Sequence, residues 1–256
     1  MMTADGSAGD ADYGMIGSGY RQFRRPEPEF ARSIQAALGD ARSIVNIGAG
    51  TGSYEPDDRE VIAVEPSAAM RAQRTIDQAP VVDASAESLP FADDAFDAAL
   101  STFSIHQWQN LDAGLREMRR VTRGPVVIMT CDPERVERFW LRDFAPEVIG
   151  TEARRYPSLE RITACLGGAV ELERLPIPFG CVDGFAEAYF GRPEMFLDPG
   201  ARKANSAWSF VSEDSALRSV RSLEHSLNDG SWDIAHSGLR TASHFEGSLV
   251  LITAVG

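Results

Sequence analysis

Cysteine is scarce in this chain of 256 residues: Cys131, Cys165 and Cys181 are its three, and none shares a C-x-x-C spacing. That count excludes a disulfide scaffold and a cysteine-built metal centre, and it fits a reducing compartment. Histidine is nearly as rare, and His106, His225, His236 and His244 stand outside ligand spacing, so no metal is expected. Positive charge is in deficit, with 25 Lys and Arg against 38 Asp and Glu, a net charge of -13 and a pI near 4.8. Such a surface repels a phosphate backbone, and the basic stretches Arg21 to Arg25 and Arg116 to Arg123 are short and interrupted, so no nucleic-acid partner is expected. No apolar run approaches the ~18 residues of a membrane span. The N-terminal "MMTADGSAGDAD" lacks the basic and apolar regions of a secretion signal. A cytoplasmic protein with no membrane partner is the expectation.

What the chain does have is enough apolar residues, 43% of the whole, to fill one sizeable core. Residues 1–12 read as a disordered lead. In "EFARSIQAALG", Phe30, Ile34 and Leu38 recur four apart, an amphipathic helix closed by Gly39. "SIVNI" then reads as a buried strand, "EVIAVE" as a second, and "PSAAMRAQRTI" as a helix opened by proline. Pro80 to Asp83 is a brief third strand, "FDAALST" a fourth and "GPVVIMT" a fifth, with the helix "LDAGLREMRRVT" between the last two. Short apolar strands alternating with amphipathic helices call for a mostly parallel sheet covered on both faces, and the handedness of the crossovers makes it doubly wound.

Beyond Thr130 the rhythm changes. "PERVERFWLRDFAPEVI" predicts an aromatic helical stripe through Val136, Phe139, Trp140 and Phe144, "SLERITACLG" a further helix, and "AVELERLPI" and "GSLVLITAV" a sixth and a seventh strand. About 70 residues separate the last two strands, too long for a bare connection, and "VDGFAEAYFG" and "SEDSALRSVRSLEHSL" within them read as helical. The fold expected is therefore α/β: a doubly wound, seven-stranded, mostly parallel sheet of Rossmann-like type, with a helical cap inserted between its last two strands. The core spans 13–178 plus 247–256 and the cap spans 179–246.

Gly48, Gly50 and Gly52 follow the first strand, where an open parallel sheet places its ligand crevice. They could form a tight turn or let backbone approach a cofactor. The second strand ends 13 residues after Gly52 in Glu65, whose carboxylate should emerge beside this loop and can accept two hydrogen bonds from a ribose. That spacing is short for a dinucleotide fingerprint, which wants G-x-G-x-x-G and an acid about 20 residues on. Tyr54 stands two residues after Gly52, so the pattern lacks the phosphate helix of that fingerprint as well. An adenosine-containing cofactor without phosphates remains.

With G48-A-G-T-G52, Glu65 and the segment E87-S-L-P-F-A-D-D-A-F-D97 in order, the chain resembles the class I S-adenosylmethionine-dependent methyltransferases, in particular the small-molecule group with a type 11 methyltransferase domain. The likeness covers about residues 20–130. It implies S-adenosyl-L-methionine as cofactor and methyl transfer to O, N, C or S of a small, partly apolar metabolite or natural-product intermediate. The alternative is a methyltransferase-like domain that binds the cofactor in a non-methylating or partner-binding role. By the same resemblance Gly48, Ala49, Gly50, Thr51 and Gly52 would pass under the methionyl part, and Glu65, with Pro66 after it, would hold the ribose. Ser85, Ala86 and Glu87 would line the adenine edge, with Ser85 where the family often has aspartate, so that contact could pass to Asp83. Ser101, Thr102 and Phe103 would face the methionine moiety. Tyr20 with Arg24 or Arg25 would bind its carboxylate, or form a solvated edge.

If the acceptor carries a proton, a base is needed. His106 follows the fourth strand and suits that role, or that of positioning substrate, since its ordinary pKa lies near neutrality. Trp108 could stack on cofactor or acceptor, or belong to the core. Trp140, Tyr189 and Phe190 could line an acceptor pocket or form the core of the cap.

Overall fold

A computed structural model describes residues 20–256, apart from the side chain of Tyr20. The lead expected over residues 1–12 and the beginning of the core at residue 13 lie outside the described residues.

The chain enters through a helical turn, Tyr20–Phe23, and helix α1, Pro28–Leu38. Pro28 sits at the first helical position, where its missing N–H costs nothing, and Gly39 closes α1 at a φ of 55°. Strands β1 (Ser43–Ile47), β2 (Glu60–Val64), β3 (Val81–Val82), β4 (Ala98–Thr102) and β5 (Val126–Cys131) follow. Helix α2, Leu111–Arg120, lies between β4 and β5, capped by the Asn110 side chain and burying Leu111, Leu115 and Met118. After β5 come helices α3 (Pro146–Arg155) and α4 (Leu159–Leu166), strand β6 (Ala169–Arg174) and the short β7 (Ile177–Pro178). Residues 179–243 then run through short helical turns and one longer helix, α5 (Glu213–Asn228), before β8 (His244–Phe245) and the closing β9 (Leu249–Val255).

Seven strands form one sheet in the order β3-β2-β1-β4-β5-β9-β6, all parallel except β9. Side chains alternate between its faces as the two-residue strand period requires. Ile44, Ala98, Leu100, Val127 and Met129 enter one core with α1, while Val45, Ala99, Val126 and Ile128 enter the other with α2 and α4. Cys131 pairs with Leu249 and Arg174 with Val250. The excursion between β6 and β9 therefore leaves and rejoins the sheet at the carboxyl ends of the parallel strands. Within it the β7–β8 ribbon pairs Ile177 with Phe245 and Pro178 with His244, and Asp183 makes a single antiparallel bridge to Arg24.

Two expectations change. The single aromatic helix over residues 133–149 is three pieces, Pro133–Val136, Trp140–Asp143 and α3, with extended backbone at Phe139. Pro146 lacks the N–H that would carry a helix through this point, so a new helix begins there. The segment 182–191 forms only a turn at Ala186–Tyr189.

Candidate functional site

A cavity of about 670 Å³ opens at the carboxyl ends of β1, β2 and β4, within the size range of small-molecule sites. Its floor is the glycine loop, where Gly48, Gly50 and Gly52 take positive φ of 69°, 52° and 89°. The three glycines do different work. A Cβ on Gly48 would stand 1.7 Å from Ser104 Oγ, so contact with the β4 turn demands glycine, whereas a Cβ on Gly50 would meet nothing within 4 Å. Gly52 faces away, toward the side chains of Gln78 and Arg74, and does not line the cavity. Side chains hold the loop from behind. Gln78 Nε2 donates to Thr51 O over 2.8 Å, and Glu55 accepts from Asn46 Nδ2 at 3.0 Å and from Arg74 at 2.7 Å.

Glu65 is 7% exposed and lines the cavity. The Gly50 N–H donates to one carboxylate oxygen and the Ser67 N–H to the other, both over 2.8 Å. Burial raises its pKa, and those two N–H groups oppose the rise. Each oxygen keeps further acceptor capacity, the pattern a vicinal diol requires. Ala49, Thr51 and Pro66 complete this wall, and Ser85, Ala86, Glu87 and Met70 form the next. Asp83 is instead exposed and paired with Arg71 at 2.7 Å.

Thr102 and Phe103 line the cavity from the end of β4, but Ser101 does not: it is fully buried, and its Oγ donates to Ile47 O over 2.9 Å, tying β4 to β1. Arg24 reaches the cavity and is fixed there by Asp183, whose Oδ1 accepts from its Nε over 2.5 Å. Asp183 Oδ2 accepts from the Tyr54 hydroxyl over 2.7 Å. Arg25 is exposed and away from the cavity, and the side chain of Tyr20 lies outside the described residues.

His106 is displaced from its expected place. It lines a second, smaller hollow behind the cavity, and burial, with Arg155 and Arg24 adding to it, holds its pKa well below the ordinary value, so the ring is neutral at physiological pH. Trp108 lines the main cavity, donates to Ser104 Oγ over 3.1 Å and packs its ring over Gly114. Trp140, Tyr189 and Phe190 line neither hollow. Trp140 stacks edge-on with Trp232 and Phe196 and donates to Phe190 O over 2.9 Å, Tyr189 packs on Phe196, and Phe190 on Phe245. These rings are core because the excursion shares one apolar cluster with α1 and the sheet. Sequence reasoning passed over Tyr54, Asp183, Glu152 and Tyr156. Tyr54 follows the glycine loop directly, which was a usable signal, while nothing local marks Asp183. No helix among the described residues is long and apolar enough to cross a membrane.

Residues 45–128 match the methyltransferase-domain family. A demethylmenaquinone methyltransferase of Mycobacterium bovis is 32% identical over 107 residues, 40% of this chain and 46% of that protein. The curated relatives it matches are spanned for less than half their length, 40% and 46% in the first two. A crystal structure from Anabaena variabilis, described as a methyltransferase from an antibiotic biosynthesis pathway, superposes with a TM-score of 0.86 at 28% identity, covering 91% of this chain and 99% of the other. A Haemonchus contortus phosphoethanolamine N-methyltransferase 2, solved with S-adenosyl-L-methionine, shares the fold at a TM-score of 0.59 and 16% identity, over 96% of this chain and 58% of that one. Matched domain, strand order and solved neighbour agree: residues 45–128 carry a methyltransferase domain, set in the fold of S-adenosylmethionine-dependent methyltransferases.

Proposed function

We propose that this chain binds S-adenosyl-L-methionine in the 670 Å³ cavity and catalyses methyl transfer to a small, partly apolar molecule admitted from the side of Arg24 and Phe103. The observation that carries the reading is Glu65, held at the end of β2 by the backbone of Gly50 and Ser67 with acceptor capacity left on both oxygens. The ribose hydroxyls belong on that carboxylate, the adenine between Met70 and Ser85–Glu87, and the methionyl end over Gly48–Thr51. When bound, the cofactor supplies a methyl group on a sulfonium that leaves as a neutral thioether.

The protein's own part is placement and exclusion of water. Asp183 and Tyr54 orient the Arg24 fork at the cavity rim, where a carboxylate can be received. Phe103 and Trp108 give the site apolar walls. The acidic chain and the aromatic surroundings favour a metabolite or natural-product intermediate over RNA. The test is titration calorimetry with S-adenosylmethionine and S-adenosylhomocysteine, followed by assay of S-adenosylhomocysteine release against a small-molecule panel. Binding to the wild type, lost in Glu65→Ala, supports the site. Binding without turnover on any acceptor would leave a cofactor-holding, non-methylating protein instead.

A further inference from the structure

The hollow behind the main cavity is small, about 30 Å³, room for one polar group rather than a whole molecule. Arg24, Phe103 and Gln107 line both spaces, so they form the partition between them. Phe103 is set there by a backbone φ of 49°, with the Arg24 guanidinium 5.0 Å from its ring centroid. The far wall is His106, Glu152 and Tyr156, with the His106 and Tyr156 rings 4.6 Å apart.

Two buried polar atoms on this lining lack a hydrogen-bond partner among the described residues: His106 Nδ1 and Gln107 Oε1. His106 is 7% exposed, so water does not compensate it freely. Its Nε2 lies 2.9 Å from the Gln107 amide nitrogen. The amide can be placed either way round, and the two placements give opposite tautomers. With the amide N–H donating to Nε2, the ring offers Nδ1–H as a donor and leaves the amide oxygen as an acceptor. With the amide oxygen accepting from Nε2–H, Nδ1 becomes the acceptor. A group that both donates and accepts satisfies either arrangement, and a hydroxyl is that group. A carboxylate only accepts, so in either arrangement it leaves the outward-facing acceptor, the amide oxygen or the bare Nδ1, without a donor. An ammonium only donates, and Arg24 and Arg155 stand close enough to depress the histidine pKa.

Building on the methyltransferase reading, we infer that the hollow receives the hydroxyl of an aromatic acceptor, that Gln107 and His106 hold it, and that the reaction is O-methylation. The ring of the acceptor lies on the cavity side, against Phe103. The step uses the arrangement in which Nε2–H donates to the Gln107 amide oxygen and Nδ1 is bare: the oxygen–methyl bond forms as the carbon–sulfur bond breaks, the electron pair of that bond stays on sulfur, and the hydroxyl proton passes to His106 Nδ1, to be released to solvent afterwards. His106 must be uncharged to accept it, which its burial ensures.

The probe is phenol, compared with benzoate and benzylammonium, titrated into wild-type protein saturated with S-adenosylhomocysteine. Phenol should bind at least tenfold more tightly than either ion. In ¹⁵N spectra of the four histidines, the His106 Nδ1 resonance should move with phenol and stay in place with benzoate. His106→Leu should weaken phenol about tenfold or more, and Tyr156→Phe, which keeps the ring, severalfold, while affinity for S-adenosylhomocysteine changes by less than twofold in both. Equal affinity for the three probes, or an unmoved His106 resonance at saturating phenol, overturns the inference while leaving the cofactor site standing. A wild-type chain that fails to bind S-adenosylhomocysteine overturns the cofactor reading and this inference with it.

Discussion

Glu65 and Gly48 show how much a single position carries. Each Glu65 oxygen already holds one backbone N–H, so the carboxylate is aimed before any ligand arrives. Hydrogen bonds to a charged group are worth about 1.5–3 kcal/mol each. Glu65→Ala should therefore weaken S-adenosylhomocysteine about 100-fold by calorimetry, and Glu65→Gln nearly as much, because its amide N–H₂ must face one of the two donors. Since burial raises the Glu65 pKa, the carboxylate protonates sooner than an ordinary glutamate as pH falls. Wild-type affinity should decline on acidification from that higher pH, a decline absent in Glu65→Gln. At the glycines, Gly48→Ala drives a Cβ into Ser104 Oγ, and Gly50→Ala meets only backbone strain of about 1–2 kcal/mol. Thermal melts should show Gly48→Ala as much the worse of the two. The sequence displayed both glycines and the acid in register. It did not display which glycine is pressed against Ser104, since that contact joins two strand ends.

Between elements, the N-terminal segment is clasped to the excursion that follows β7. The Gly184 N–H donates to Phe23 O over 2.8 Å and the Val182 N–H to Glu27 Oε2 over 3.0 Å, and Asp183 between them engages Arg24 and Tyr54. Asp183→Asn removes the charge from a pair whose two side chains are 12% and 4% exposed. Breaking a buried pair from one side costs about 3–5 kcal/mol. Hydrogen exchange should quicken at Val182 and Gly184 while the amides of β1, β4 and β5 keep their protection. Equal acceleration throughout would mean that the clasp is part of global unfolding. The alternation of strands and helices to β5 was legible because each element carries its own periodicity. The clasp was not, because Arg24 and Asp183 are 159 residues apart and no local pattern records such a pair. The aromatic stripe misled for a related reason: Phe139 and Trp140 do point to one core, but extended backbone at Phe139, rather than a helix, brings them there.

At the scale of the whole molecule, the excursion, α1 and the sheet share one apolar cluster, so a stability change at their junction should be read out by the global transition. Glu187 sits at that junction. Its Oε2 accepts from the Ser248 N–H over 2.8 Å and from the Ser248 hydroxyl over 2.7 Å, while Oε1 has no partner among the described residues. Burial pushes its pKa up to about 7 from an ordinary 4.5, against the pull of Ser248. A carboxyl raised in this way is protonated in the folded chain over a range where the unfolded chain has already released the proton. Between pH 4.5 and about 7 the native state holds more protons, so stability falls as pH rises through that window. At about 1.4 kcal/mol per unit the loss is about 3 kcal/mol. The acidic surface adds its own repulsion, but Glu187→Gln shares that surface, so the difference between the two proteins isolates the buried group. The Tm of Glu187→Gln relative to wild type should rise between pH 5 and pH 8.5, by about 5 °C or more for a chain of this size. Whatever the amide costs by packing is the same at both pH values and cancels. A difference in Tm that stays flat across that range would show that Glu187 ionises no differently in the fold than outside it.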